Sequence, residues 1–399
     1  GHLLNNPVHY RDTRTVGMIE KVCEVIPKEE LYNSTGIQIA AINTLYQLAY
    51  LQQNEPEQLA QADKLLLMPD LFAYFLTGVT RAEYSEASTT QCLNPKTGDW
   101  AYELLDRLNI PRRLFPPIVD AGDTYGLLSD EICEELGAPK VPVIAVATHD
   151  TGSAVVAVPS QEKDFIFISC GTWSLFGTEL QAPVINETSF KFNLTNEGGF
   201  GRTTRFLKNI MGLWLIQESR RQWIREGENV TFADLEREAL ACEPFRCFIN
   251  PDDDSFVSPG NLPKRVQEFC QRTGQYVPQT RGEIMRCIYE SLAMKYRYTF
   301  HAIREVTGLE YTSIHMIGGG TKDRLLCQMA ADACATHVIA GPIEATATGN
   351  IAVQLIALGE IADLKEARKV IAASEQPKFY EPVDTAAYDA AYARFEKLL

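Results

Sequence analysis

No stretch of this 399-residue chain approaches the roughly twenty consecutive apolar residues that a membrane span needs. Gly1 to Pro7 are too short and too polar for a secretory signal. The expectation is a cytoplasmic protein that neither spans nor sits on a membrane. Basic residues are also in short supply, with 37 Lys and Arg against 52 Asp and Glu and a net charge of −15. That balance excludes wrapping nucleic acid or docking on an anionic lipid surface, since both need clustered cations. An anionic ligand would have to be held by a local device, such as backbone amides at a glycine turn or a helix N-terminus. The ten cysteines include no C-x-x-C, and no histidine stands at ligand spacing near them. Reduced, mostly buried thiols and no metal site are expected; Cys270 and Cys287 could pair only in an oxidising setting. There is no internal repeat, no low-complexity tract, and no Gly-x-Ser-x-Gly elbow to support a hydrolase. G-x-G-x-x-G and G-x-x-x-x-G-K-[ST] are absent too, so neither a Rossmann fingerprint nor a Walker loop is supported.

What is present suffices for two domains, each with its own core: 45% of residues are hydrophobic and 22% charged. The first part reads as mostly helical. Apolar spacing predicts helices over 43–51 and 58–76, the second broken or kinked at Pro69 and closed by Gly78. Shorter helices are predicted over 100–108 and 126–136, the latter closed by Gly137. Residues 141–147 read as a buried strand that delivers His149-Asp150 at its C-terminal end. A boundary is expected near 159–164, dividing the chain into 1–160 and 161–399. Beyond it, strands are predicted at 165–169, 173–180, 190–195 and 203–207, and a helix at 211–225. Residues 243–278 read as polar and irregular. A long helix follows from Ile284 to Ile303, then a strand at 313–317 running into Gly318-Gly319-Gly320. A helix, a strand and a helix complete an α/β layer with a mixed sheet.

Three sets of residues could carry chemistry. Asp150 at a strand end can accept a proton from a hydroxyl in phosphoryl transfer, or can simply cap the helix that Asp-Thr-Gly-Ser would start. Ser169-Cys170-Gly171-Thr172 is either a phosphate-approaching turn or an ordinary hairpin. Gly318 to Gly320 are either a nucleotide-contacting turn or a plain tight one. Asn209 and Gln217, on their own, say little.

Taken together, the motifs resemble a family. Tyr10-Arg-Asp-Thr-Arg-Thr15, Leu66 to Phe72, Ala147-Thr-His-Asp-Thr151, Ser169 to Ser174, Asn193 to Gly199, Ile317 to Gly320 and Glu344 to Asn350 are similar to the FGGY carbohydrate kinases. The run Lys208-Asn-Ile-Met-Gly-Leu-Trp214 resembles their rhamnulokinase branch. The resemblance implies an actin-like (ribonuclease H-like) two-domain ATPase fold, with a sugar-binding first domain and a nucleotide-binding second one. Sugar and ATP would meet in the cleft between them. It implies Mg-ATP as phosphoryl donor and the 1-hydroxyl of L-rhamnulose as acceptor. Asp150 matches the catalytic base, and His149 and Thr151 match sugar contacts. Thr172, Asn209, Gln217, Gly318, Gly319 and Gly320 match nucleotide contacts. Two departures stand out. The family's opening strand with Asp-x-Gly and a Ser/Gly-rich phosphate loop has no counterpart here, so the first domain is expected to be incomplete and this chain alone a weak or inactive kinase. Asp323 stands where the family often has Asn. Kinases for other ketoses such as xylulose or fuculose, or a non-catalytic sugar- or nucleotide-binding module, remain open alternatives.

Overall fold

The computed structural model describes the whole chain, Gly1–Leu399. The chain folds into two compact units. The first comprises Gly1–Gln161, Glu179–Leu207 and Ala345–Ser374; the second comprises Glu162–Thr178, Lys208–Glu344 and Glu375–Leu399. The units are thus interleaved along the chain rather than consecutive.

The first unit is dominated by short helices, among them Met18–Val25, Thr44–Asn54, Met68–Thr77 and Tyr84–Thr89. Their inward faces, with Val22, Leu45, Leu48 and Ala87, pack with Trp100, Leu105 and Phe115 into one apolar core. Pro69 does not kink a long helix: it stands in the first turn of Met68–Thr77, after Pro56–Gln61 has already ended. Gly78 closes Met68–Thr77 at φ 71°, where an L side chain would be strained. The helix expected over 126–136 is shorter. Thr124–Leu127 is a strand paired with Pro142–Ile144, and the helix Asp130–Leu136 begins only where the Ser129 hydroxyl caps the Ile132 amide. The buried strand expected at 141–147 is corrected as well. Pro142 is exposed, the strand pairs on one side only, and it is Ala145–Ala147 that lies inside.

The chain's main sheet has seven strands, in the order Lys378–Tyr380, His337–Ala340, Ser313–Ile317, Ile166–Cys170, Trp173–Leu180, Thr204–Met211, Thr195–Gly198. In the second unit Ser313–Ile317 is central and runs parallel to both neighbours, with Ile317 opposite Ser169 and Met316 opposite Ala340. Both flanking edges are antiparallel, so the sheet is mixed. The helix Arg281–Thr307 is longer than the apolar spacing predicts, because a Thr280/Glu283 capping box starts it early; Gly308 at φ 68° ends it.

Three expectations fail here for local reasons. Residues 190–195 do not form a strand: an Asn186/Ser189 capping box makes 187–191 helical, and pairing starts only at Thr195. Thr204–Met211 is long enough to carry Lys208 and Asn209 inside the strand, so the following helix starts at Trp214. Residues 243–278 are not irregular throughout; Asn261 caps the helix Leu262–Arg272, with Pro263 in its first turn. No helix is long and apolar enough to cross a membrane.

Candidate active site

In the first unit the chain turns from Ala147 into the helix Asp150–Val156, with His149 at the N-cap. Glu83, 1% exposed, holds this turn by accepting from the Thr148 amide at 3.0 Å and the Thr148 hydroxyl at 2.9 Å. Ser85 accepts from the His149 amide at 3.2 Å. From the other side, the Thr346 hydroxyl donates to the Asp150 carbonyl at 3.1 Å. Gly349 lets its helix approach still closer, since a Cβ there would lie 1.8 Å from the Ser153 carbonyl oxygen. The Glu344 to Asn350 motif therefore buttresses the turn that carries Asp150.

The Asp150 carboxylate is largely exposed, at 79% of its side chain. One oxygen accepts from the Thr151 amide at 2.6 Å, in the first turn of the helix, where the dipole favours negative charge. His149 Nε2 lies 3.8 Å from Asp150 Oδ1, and His149 Nδ1 lies 2.8 Å from Arg205 Nη1. A guanidinium can only donate. Nδ1 must then be the acceptor, so the imidazole is neutral and carries its proton on Nε2, toward Asp150. Burial, reinforced by the Arg205 cation, holds the His149 pKa below its ordinary value, in keeping with that tautomer. Arg205 is itself fully buried, pairs with Glu197 at 3.1 Å across the strand pairing, and donates to the Gly198 carbonyl at 2.8 Å. Glu86, half-buried in the first turn of Tyr84–Thr89, is pushed up to about 8 by burial and then by the Asp150 charge. Glu83 and Glu86 were not singled out from the sequence, and Glu197 and Arg205 entered only as members of runs that resemble the family, with no role of their own. Each is an ordinary-looking charge there, and only its burial beside His149 and Asp150 reveals it. A cavity of about 630 Å³ in the same unit, lined by Asn5, Leu48, Leu59, Leu65 and Tyr74, includes none of the predicted site residues.

In the second unit, two turns stand at the C-terminal ends of adjacent parallel strands, where open α/β sheets collect ligands. One is Gly171-Thr172 after Ile166–Cys170, with Thr172 exposed at its tip. The other is Gly318 to Gly320 after Ser313–Ile317. Gly318 has φ 88°, and a Cβ on Gly320 would stand 2.2 Å from Cys170 Sγ. Those two glycines are demanded by the fold. A Cβ on Gly319, by contrast, would meet nothing within 4 Å, which leaves that face open. The Thr172 carbonyl accepts from the Gly212 amide at 3.2 Å and the Trp214 amide at 3.1 Å, tying its turn to the start of the helix that bears Gln217. Asn209, half-buried on Thr204–Met211, is separated in the sheet from Ser313–Ile317 by Ile166–Cys170 and Trp173–Leu180. The predicted nucleotide residues thus spread over several strands rather than one loop. Asp323 caps the helix Arg324–Cys334 through the Leu326 amide at 3.0 Å and accepts the Tyr289 hydroxyl at 2.7 Å.

Comparison with known proteins identifies the family and the fold. Residues 1–157 match the N-terminal domain of the FGGY family of carbohydrate kinases, and residues 166–358 match its C-terminal domain. A rhamnulokinase of Bacteroides thetaiotaomicron is 44% identical over 99% of this chain and 81% of its own length. One of Bacillus subtilis is 40% identical over 96% of this chain and 78% of its own length. Among solved structures, xylulose kinase from Lactobacillus acidophilus superposes with a TM-score of 0.78 at 18% identity, covering 100% of this chain and 80% of that one. Plasmodium falciparum glycerol kinase with ADP gives 0.77 at 16% identity, covering 99% and 79%. The folds are shared, and both family domains are matched in order along the sequence. This chain belongs to the FGGY family of carbohydrate kinases.

Proposed function

We propose that the chain transfers the γ-phosphoryl group of ATP to the 1-hydroxyl of L-rhamnulose, with Asp150 as general base. The observation that carries the reading is the exposed Asp150 carboxylate at a helix start, beside a histidine held neutral by a buried arginine. The rhamnulokinase relatives supply the sugar class. Asp150 takes the hydroxyl proton as the oxygen bonds to phosphorus. His149 Nε2–H and the Thr151 side of the turn orient the sugar; the neutral imidazole adds a donor without adding charge. In the second unit, the Gly171-Thr172 turn, Gly318 to Gly320, Asn209 and Gln217 receive the nucleotide, with backbone amides standing in for the cations that the acidic composition withholds. Magnesium suits this arrangement as a companion of the nucleotide phosphates, since it keeps most of its shell from water and phosphate and needs few protein carboxylates.

The test is ADP release with Mg-ATP and a panel of ketoses. Turnover fastest on L-rhamnulose supports the proposal. Preference for xylulose or fuculose would move the assignment to another ketose. Sugar or nucleotide binding without transfer would replace it with a binding module.

A further inference from the structure

The cysteines look scattered in sequence, yet three of them meet in the core of the second unit. Cys247 lies in the segment before Phe248, Cys270 on the helix Leu262–Arg272, and Cys287 on the helix Arg281–Thr307. Their sulfur atoms all lie within 4.8 Å of one another, all three are buried, and none is disulfide-bonded. No other group of three Cys, His, Asp or Glu side chains in the chain converges in this way. Cys270 Sγ also makes a long sulfur hydrogen bond, 4.0 Å, to the Phe248 carbonyl.

We propose that Cys247, Cys270 and Cys287 form a structural site for a soft, zinc-class divalent cation. The geometry suits it: zinc–sulfur bonds of about 2.3 Å place tetrahedral ligand sulfurs about 3.8 Å apart, so the trio needs to contract by about 1 Å at most. Thiolates select such a cation over magnesium or calcium. A cavity of about 10 Å³, room for about one water, adjoins Cys247 and Cys287. Arg246 and Arg286 line that cavity together with Glu243, Glu283 and Glu290, and each arginine is paired with a glutamate there, Arg246 with Glu283 at 3.3 Å and Arg286 with Glu290 at 2.5 Å. Binding forms three metal–sulfur bonds and releases three thiol protons to solvent, leaving the site at −1 with a dication; no oxidant or reductant takes part. The ion would clamp a loop and two helices together, apart from the residues assigned to phosphoryl transfer, so the inference stands or falls independently of that activity.

The experiment is elemental analysis of the whole chain purified under reductant without chelator. About one zinc per chain is expected. Chelation should lower the thermal midpoint, and Cd²⁺ added alone to the stripped chain should give the ultraviolet thiolate-to-cadmium band. Cys270→Ser should fall to about a tenth of the wild-type metal content, while Cys133→Ser in the first unit keeps it. Because a serine in this core can impair folding, the wild-type arm is decisive alone. Absence of bound zinc after equilibration with excess ion overturns the proposal. So does equal uptake by Cys270→Ser, or a native disulfide joining two of the three sulfurs.

Discussion

Replacing Arg205 by methionine probes the least expected part of the first-unit site. The Arg205 side chain is 0% and that of Glu197 4% exposed, at 3.1 Å. Deleting one member of such a pair leaves a buried charge without its partner, a loss of roughly 3–5 kcal/mol, whereas deleting both is close to neutral. Urea unfolding of Arg205→Met, Glu197→Gln and the double variant should therefore be strongly non-additive, with a coupling of about 2 kcal/mol or more. The same substitution removes a cation from His149. Its pKa should rise, read by NMR titration of the ring. The sign for stability follows. A folded-state pKa below the unfolded value of about 6.5 means the unfolded chain binds the extra proton. His149 therefore contributes stability that is full above that value and is lost as the pH falls through the folded pKa. Arg205→Met should shrink that acid-side loss. Additive single-variant effects together with an unmoved His149 titration would refute the arrangement.

Asp150→Asn should lower kcat by about 10²–10⁴-fold with ATP affinity unchanged by calorimetry; retained turnover removes Asp150 as the base. Gly319→Leu should leave the unfolding transition in place while weakening nucleotide binding, because its Cβ meets nothing. Gly320→Ala should instead destabilise the second unit, its Cβ meeting Cys170 Sγ at 2.2 Å; equal unfolding transitions for the two variants would contradict this. Glu86, raised to about 8 by burial and Asp150, is protonated at neutral pH. Above about 8 its ionisation puts a second negative charge beside Asp150 and should depress kcat/KM, and Glu86→Gln should abolish that alkaline limb. Its stability contribution runs the same way, present below the unfolded value of about 4.3 and lost as pH rises through about 8.

Much was legible without coordinates. Gly78, Gly137 and Gly308 marked helix ends because only a glycine takes the left-handed cap without strain. The apolar runs at 165–169 and 313–317 were legible as strands, but that they pair in parallel, with ends bearing Gly171 and Gly318, came only from the structure. The motifs taken together resembled the FGGY carbohydrate kinases, the family to which the chain belongs. Boundaries went wrong where local chemistry overrode pattern. Asn186 and Ser189 close a capping box that makes 187–191 helical, and Ser129 delays a helix until Asp130.

What tertiary structure alone decided is which charges and thiols meet. Arg205 and Glu197 face each other because two strands pair in one register, and that pairing sets the proton position on His149, a residue far from both in sequence. Gly349 is required because two helices cross at Ser153, and Cys247, Cys270 and Cys287 converge because a loop and two helices pack on one point. Sequence determines local conformation through short-range sterics and capping. Burial and electrostatic environment arise from contacts between distant segments, so they exist only once the chain has folded.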